Sequence, residues 1–280
     1  MSDVSYSVTP VTYESGGIKV NALLYKPTKL VAQAPSIVHH PAHRCAAKQY
    51  EWYLGKFAEA GYVGLSIEQR GYGSGPEGQN DRGGELQQGD IMNGISYVEA
   101  LPFVDPDRIG VSGHSNGAAL ALIVAAKDAR VRACISLAPK TDWVYTLRYA
   151  KNWKPAFYKR TILEISGGIS PEEDPAPYVA RSPITYANRI RVPVFLSVGT
   201  YDWVNPTYHC VWMQEALNKN GNTDTEVSII EEVDHWFCRL HFLGYCFDEV
   251  TEPAIRWFDR FVKEAVPVRK VARDITGVRG

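Results

Sequence analysis

Gly113-His114-Ser115-Asn116-Gly117 sets a serine between two glycines, and the apolar residues on either side give the motif its meaning. Ile109-Gly-Val-Ser112 before it reads as a buried strand, and Ala118-Ala-Leu-Ala-Leu-Ile-Val124 after it as a buried helix. A strand–turn–helix of this kind holds a serine in a tight turn with its hydroxyl at the carboxyl end of a sheet, and the glycines let strand and helix approach. A hydroxyl attacks a carbonyl only when an imidazole takes its proton, and the imidazole needs a carboxylate to fix its tautomer. Asp202 follows one apolar strand, Val192–Val198, and His235 follows another, Val227–Ile230, which supplies both groups in the chain order Ser, acid, His. The chemistry these types and spacings support is acyl transfer, with Ser115 as nucleophile, His235 as base and Asp202 as acid. Asp142 also follows a strand and is the alternative acid. Asp234 is set aside, because adjacent side chains on extended backbone point to opposite faces.

Acyl transfer develops an oxyanion that needs two donors, each contributing about 3–4 kcal/mol. The N–H of Asn116, next after the serine, is the first. The second is expected from His39-His-Pro-Ala-His-Arg44, where Pro41 has no N–H, so Ala42 is the expected donor with His43 behind it. His39 and His40 read chiefly as structural, whereas His43 and His114 are expected to line the pocket. The 7 Trp, 16 Tyr and 9 Phe cluster in ways that bear on the same pocket. Tyr145, Tyr149, Trp153 and Phe157 fall at four-residue steps on a helix that Pro155 distorts or ends, with Trp143 and Tyr158 nearby. Tyr201 and Trp203 flank Asp202, and Trp236 and Phe237 follow His235, ahead of Phe242, Tyr245 and Phe247. A pocket lined by Trp143, Tyr145, Tyr149, Trp203 and Trp236 is expected to favour a bulky apolar or aromatic substrate.

These residues need a sheet to position them. Alternation in Ile18–Tyr25 reads as a half-buried strand paired antiparallel with residues 5–14. Ser36–His40, Val63–Ile67, Arg108–Ser112, Ala133–Ala138, Val192–Val198 and Val227–Ile230 read as strands buried on both faces. Helical patterns lie between them at Gln49–Ala60, Gly89–Leu101, Asn116–Lys127, Thr207–Asn220 and Thr251–Ala265. The alternation predicts an α/β fold, a mostly parallel sheet with helices on both faces. Residues 141–190, rich in proline and glycine, break the rhythm and read as a small lid insertion. One domain over 1–280 with that lid is the simplest organisation.

From about residue 18 to 265 the chain resembles an α/β-hydrolase of the dienelactone hydrolase/prolyl-oligopeptidase-like branch. The resemblance rests on the run Val104–Gly117 into the serine and on Glu68-Gln-Arg-Gly-Tyr-Gly-Ser-Gly75, similar to the branch's D-x-R-G-x-G turn with Glu in place of Asp. Val198-Gly-Thr-Tyr-Asp-Trp-Val-Asn-Pro206 resembles its acid loop, whereas Asp234 stands where a glycine is more usual. The resemblance implies a serine hydrolase acting on a carboxylic ester, with no metal and no organic cofactor. A peptidase is the enzymatic alternative, and a binding homologue without turnover is the alternative of another class. Peptidases of the branch usually carry an N-terminal propeller, and the short stretch before the first parallel strand favours the esterase.

Composition bounds the rest. With 280 residues, 45% apolar and 22% charged, the chain is neither disordered nor fibrous. Lys and Arg total 30 against 31 Asp and Glu, a balance that offers no counterion release for nucleic acid and no polybasic membrane patch. Ala118–Ala126 is the longest apolar run, well short of the ~20 residues that span a bilayer. The 5 cysteines have no CxxC pair and no zinc spacing, and no signal peptide is readable, so reduced thiols and a cytoplasmic location are expected. Gly73-Ser-Gly-Pro-Glu-Gly78 matches a dinucleotide fingerprint but runs into polar residues instead of a helix, and reads as a surface loop. The expected partner is a small-molecule ester. The basic tail from Val266 reads as a frayed end, with a homodimer arm as its alternative.

Overall fold

The computed structural model describes residues 5–30, 33–72, 80–239 and 244–264. β1 (Tyr6–Ser15) and β2 (Ile18–Pro27) form an antiparallel hairpin, closed by Gly16 and Gly17, both at positive φ as such a tight turn requires. β3 (Ala34–His40) leads through a 3-10 turn, Ala47–Tyr50, into α1 (Glu51–Glu59) and β4 (Val63–Ile67). α2 (Glu85–Glu99), β5 (Val104–His114), α3 (Asn116–Lys127) and β6 (Val131–Leu137) follow. Then come α4 (Trp143–Trp153), α5 (Pro155–Ser166), α6 (Ala176–Val179), a 3-10 turn at Pro183–Tyr186 and β7 (Val194–Gly199). The chain continues with α7 (Tyr208–Lys219), β8 (Thr225–Ile230), the short pair β9 (Cys238–Arg239) and β10 (Gly244–Tyr245), and α8 (Phe247–Phe258), which ends in a π turn, Asp259–Lys263.

Eight strands form one sheet in the order β1-β2-β4-β3-β5-β6-β7-β8. β1, β2 and β4 pair antiparallel, and β4 through β8 pair parallel. Alternate residues of the central strands face opposite layers. Val38, Val111, Cys134 and Leu196 pack on one side with Ile95 of α2, Leu120 of α3 and Met213 of α7. Ile37, Ile135 and Phe195 pack on the other with Phe57 of α1 and Phe258 of α8. Gly110 within β5 has a packing reason: a Cβ there would strike the Phe258 ring. The expected mostly parallel sheet with helices on both faces is what the chain forms.

Two local expectations change. Val227–Ile230 reads as buried on both faces, yet β8 is the sheet's edge, with Ile229 44% exposed. A short apolar run looks alike in a central strand and in an edge strand covered on one side. Within 141–190, the four-residue aromatic stripe is not one helix. α4 stops at Lys154, and α5 begins on Pro155 at its first position, where the missing N–H has no partner to lose. Trp143, Leu147, Ala150, Tyr158, Ile165 and Tyr178 bury a small apolar core of their own in this segment. Gly73–Gly78, Phe242 and the tail from Val266 lie outside the described residues.

Candidate active site

Ser115 stands between β5 and α3 with φ 57° and ψ −113°, a left-handed backbone that a non-glycine residue adopts only when its surroundings enforce it. Its N–H donates to Leu137 C=O at 2.8 Å, and its C=O receives the N–H of Ala119 at 3.2 Å. The flanking glycines are dictated by space. A Cβ on Gly113 would collide with the Gly117 carbonyl, and one on Gly117 with the His40 carbonyl. The turn therefore projects the hydroxyl beyond the carboxyl ends of the strands.

Asp202 follows β7 in a turn closed by its own carboxylate. Oδ1 accepts the N–H groups of Val204 (2.9 Å) and Asn205 (2.7 Å), which leaves Oδ2 for His235 Nδ1 at 2.7 Å. His235 Nε2 lies 3.0 Å from Ser115 Oγ. Asp202 and His235 are both 3% exposed, so this chain of hydrogen bonds is largely shielded from water. Gly199 makes it reachable: a Cβ there would meet the Val233 carbonyl and push the two loops apart. The other two acids are engaged elsewhere. Asp142 caps α4 by accepting the Tyr145 N–H at 2.8 Å, and Asp234 Oδ1 accepts the N–H groups of Trp236 and Cys238 at 2.8 and 2.9 Å.

Asn116 heads α3, so its N–H belongs to the first turn, which has no intrahelical acceptor. Ala42 differs from expectation. Its N–H donates to the Tyr50 hydroxyl at 2.9 Å, because the 3-10 turn after the loop brings that ring back over it. Tyr50 Oη lies 2.7 Å from His114 Nδ1, and His114 Nε2 lies 2.8 Å from the His235 carbonyl. A carbonyl only accepts, so the His114 proton sits on Nε2, Tyr50 donates to Nδ1, and the hydrogen bonds run in one direction from Ala42 to the backbone of His235. Burial, with His235 close by, holds His114 neutral, its pKa lowered to about 3. His114 is thus an internal strut rather than a pocket-lining residue.

The aromatic residues divide. Trp236 meets both His235 and His114 edge-on, with centroids at 5.4 and 5.3 Å, and is half exposed. Trp203 is exposed, with Lys154 Nζ 4.0 Å over its ring. Trp143 is buried near two cations, with Lys140 Nζ 5.2 Å and the Arg82 guanidinium 5.8 Å from its ring centroid. Tyr145 and Tyr149 stack on each other, and Tyr145 packs against Tyr208 and Trp212 of α7, not against Ser115 or His235. Tyr245 and Phe247 stack toward Trp52 of α1.

Sequence reasoning passes over Arg82 and Lys140. Lys140 stands just past the end of β6, on the side where parallel sheets hold their ligands, and that position is the one signal that marks it. It is 5% exposed, and its Nζ donates to Asn205 Oδ1 at 2.5 Å. Arg82 donates to Glu164 Oε2 at 2.5 Å and contacts His43 Nε2, and burial with Arg82 alongside lowers the His43 pKa to about 3. Burial, then Arg82, pulls the Lys140 ammonium down to about 7, against a weaker upward pull from Asp202. In the unfolded chain lysine keeps its proton to about pH 10. Between about pH 7 and 10 the unfolded state therefore binds more protons, and this group makes stability rise with pH. Urea unfolding of Lys140→Met is expected to show a shallower rise from pH 7 to 9 than the parent; parallel slopes would place the charge elsewhere.

Among the described residues there is no group of three His, Cys, Asp or Glu side chains able to hold a metal ion, and no helix long and apolar enough to cross a membrane.

The prolyl oligopeptidase family matches residues 48–262. The quorum-quenching protein AidA of Acinetobacter baumannii is 30% identical over 144 residues, 51% of this chain and 47% of that protein. The chain spans less than half the length of the curated relatives it matches. Among solved structures, an acylaminoacyl peptidase of Pyrococcus horikoshii superposes with a TM-score of 0.76 at 19% identity, over 92% of this chain and 42% of that one. The Pyrococcus furiosus esterase Pf2001 superposes with a TM-score of 0.68 at 16% identity, over 93% and 95%. These likenesses show the α/β-hydrolase fold.

Proposed function

This chain belongs to the prolyl oligopeptidase family of serine hydrolases, and from that premise we propose that it hydrolyses a carboxylic ester through an acyl-enzyme on Ser115. The observation that carries the proposal is the hydrogen-bonded chain Ser115–His235–Asp202 at the strand–helix turn. With Asp202 accepting from Nδ1–H, the bare Nε2 of His235 takes the serine proton as Oγ attacks the ester carbonyl. The oxyanion that forms is held by the Asn116 N–H and by a second amide of the loop after β3. His43 takes the place expected of Ala42, whose N–H Tyr50 already holds. His235 returns its proton to the departing alkoxide. Water then gives a proton to His235 and its hydroxyl to the acyl carbon, and as the acyl–Oγ bond breaks His235 returns that proton to Ser115 Oγ and the acid leaves.

The exposed rings next to His235 and Asp202 in the chain, Trp236 and Trp203, support an apolar rim for a bulky substrate, and residues 141–190 serve as its cover within a single domain. A peptidase is the second reading, favoured by the likeness to the acylaminoacyl peptidase. Cations beside the site disfavour a substrate with a free ammonium terminus. A fluorophosphonate probe with peptide mapping is expected to label Ser115, and a panel of methyl and aryl esters run beside aminoacyl anilides is expected to show ester turnover. Labelling elsewhere, or none, would sink the catalytic reading and favour a binding homologue. Turnover of anilides alone would replace the esterase with the peptidase.

A further inference from the structure

Arg82 and Lys140 are both buried, at 4–5% exposure, and both lie over the Trp143 ring, 5.8 and 5.2 Å from its centroid. Each is linked to the site through a neighbouring residue. Gly83 lies against the Asn116 side chain, and Lys140 is tied through Asn205 to the turn that holds Asp202. Their surroundings are short of negative charge. Glu164 is shared by Arg82 (2.5 Å), Arg44 (3.7 Å) and Arg160 (4.0 Å), and Asp202 already serves His235. Lys154 adds a further cation near Lys140. Donors are also left over. Arg82 Nε is buried without a protein acceptor, and the ammonium of Lys140 has three protons but only Asn205 Oδ1 as an oxygen partner among the described residues. Arg44 and Arg82 both hold left-handed backbone (φ 64° and 53°), strain that persists where a constellation is worth fixing.

Buried cations in excess of their counterions are costly unless a ligand brings the missing charge. We propose that Arg82 and Lys140 form an anion subsite, and that the ester this protein takes also carries a carboxylate. The inference deepens the serine-hydrolase reading and rests on it for the ester. The carboxylate accepts from the unused N–H groups of both side chains, while the apolar part of the substrate lies on Trp143.

Binding can be read without turnover in the Ser115→Ala variant. By calorimetry at pH 7, monomethyl glutarate is expected to bind about tenfold or more tightly than methyl pentanoate if the anion sits on the acyl side. If it sits on the alcohol side, 4-acetoxybutanoate should exceed butyl acetate by a similar factor. The gap should close when Arg82→Gln or Lys140→Gln is added. Equal or weaker binding of both anionic esters in the Ser115→Ala protein would overturn the proposal whether or not the further variants fold. A gap that survives both substitutions would overturn it too. The parent reading fails differently: an anion preference in binding with no hydrolysis by the wild-type protein would leave the subsite standing and remove the catalysis.

Discussion

Ser115→Ala is expected to lower kcat for methyl ester hydrolysis on the order of 10⁶-fold, with a much smaller change in KM. The size follows from the geometry. His235 Nε2 has one partner to deprotonate, Ser115 Oγ at 3.0 Å, and the Asp202–His235 pair accomplishes nothing without it. What remains in the variant is the oxyanion site and substrate binding, which together still exceed the reaction in water. Because the three groups act as a unit, adding His235→Ala to Ser115→Ala is expected to change little more. Stopped assays with titrated active-site concentration measure both. A variant that keeps a tenth of the parental kcat would place the nucleophile elsewhere.

Asp90→Asn carries the largest expected effect on stability, a loss of about 3–5 kcal/mol. Asp90 lies in α2 at 1% exposure and receives Arg70 Nε at 2.7 Å, a second contact from the Arg70 guanidinium, and Ser15 Oγ at 2.6 Å. Its own carbonyl accepts from Tyr13 Oη at 2.8 Å. One carboxylate thus joins the turn after β4, the end of β1 and the middle of α2. The amide leaves Arg70, 3% exposed, as a buried charge without its counterion. Thermal unfolding should fall by roughly 10 °C for a chain of this size. The double change Arg70→Met with Asp90→Leu should recover much of the loss, since an apolar pair of similar volume needs no charge balance. A single-variant loss under about 1 kcal/mol would mean that water reaches the pair.

Legibility in the sequence follows how local each signal is. β4 and α3 occupy Val63–Ile67 and Asn116–Lys127, the limits their apolar patterns predict, because each is bounded by residues that cannot continue the pattern into the core. β8 escapes, since nothing in Val227–Ile230 tells an edge from a centre. Ser115, Asp202 and His235 are legible because each follows a recognisable strand, and the fold brings them within hydrogen-bond reach of one another. Tyr50, Arg82 and Lys140 are not. An arginine in a polar loop and a lysine after Pro139 read as solvated charges until long-range packing buries them. Ala42 fails for a related reason: whether an amide is available depends on a tyrosine hydroxyl eight residues on, which only the folded turn reveals.

The directed run of hydrogen bonds from Ala42 through Tyr50 and His114 to the His235 carbonyl has a consequence for how this sequence can drift. Tyr50→Phe strands both the Ala42 N–H and His114 Nδ1, and His114→Leu leaves the Tyr50 O–H proton without its imidazole acceptor and strands the His235 carbonyl, each inside the protein. Each single step costs the desolvation of two orphaned groups, and the paired replacement still leaves two, the Ala42 N–H and the His235 carbonyl. Positions 50 and 114, far apart in the chain, are thus each held in place, because a change at one is not relieved by a change at the other. A lineage that loses either residue loses the mechanical tie between the loop after β3 and the loop that carries His235.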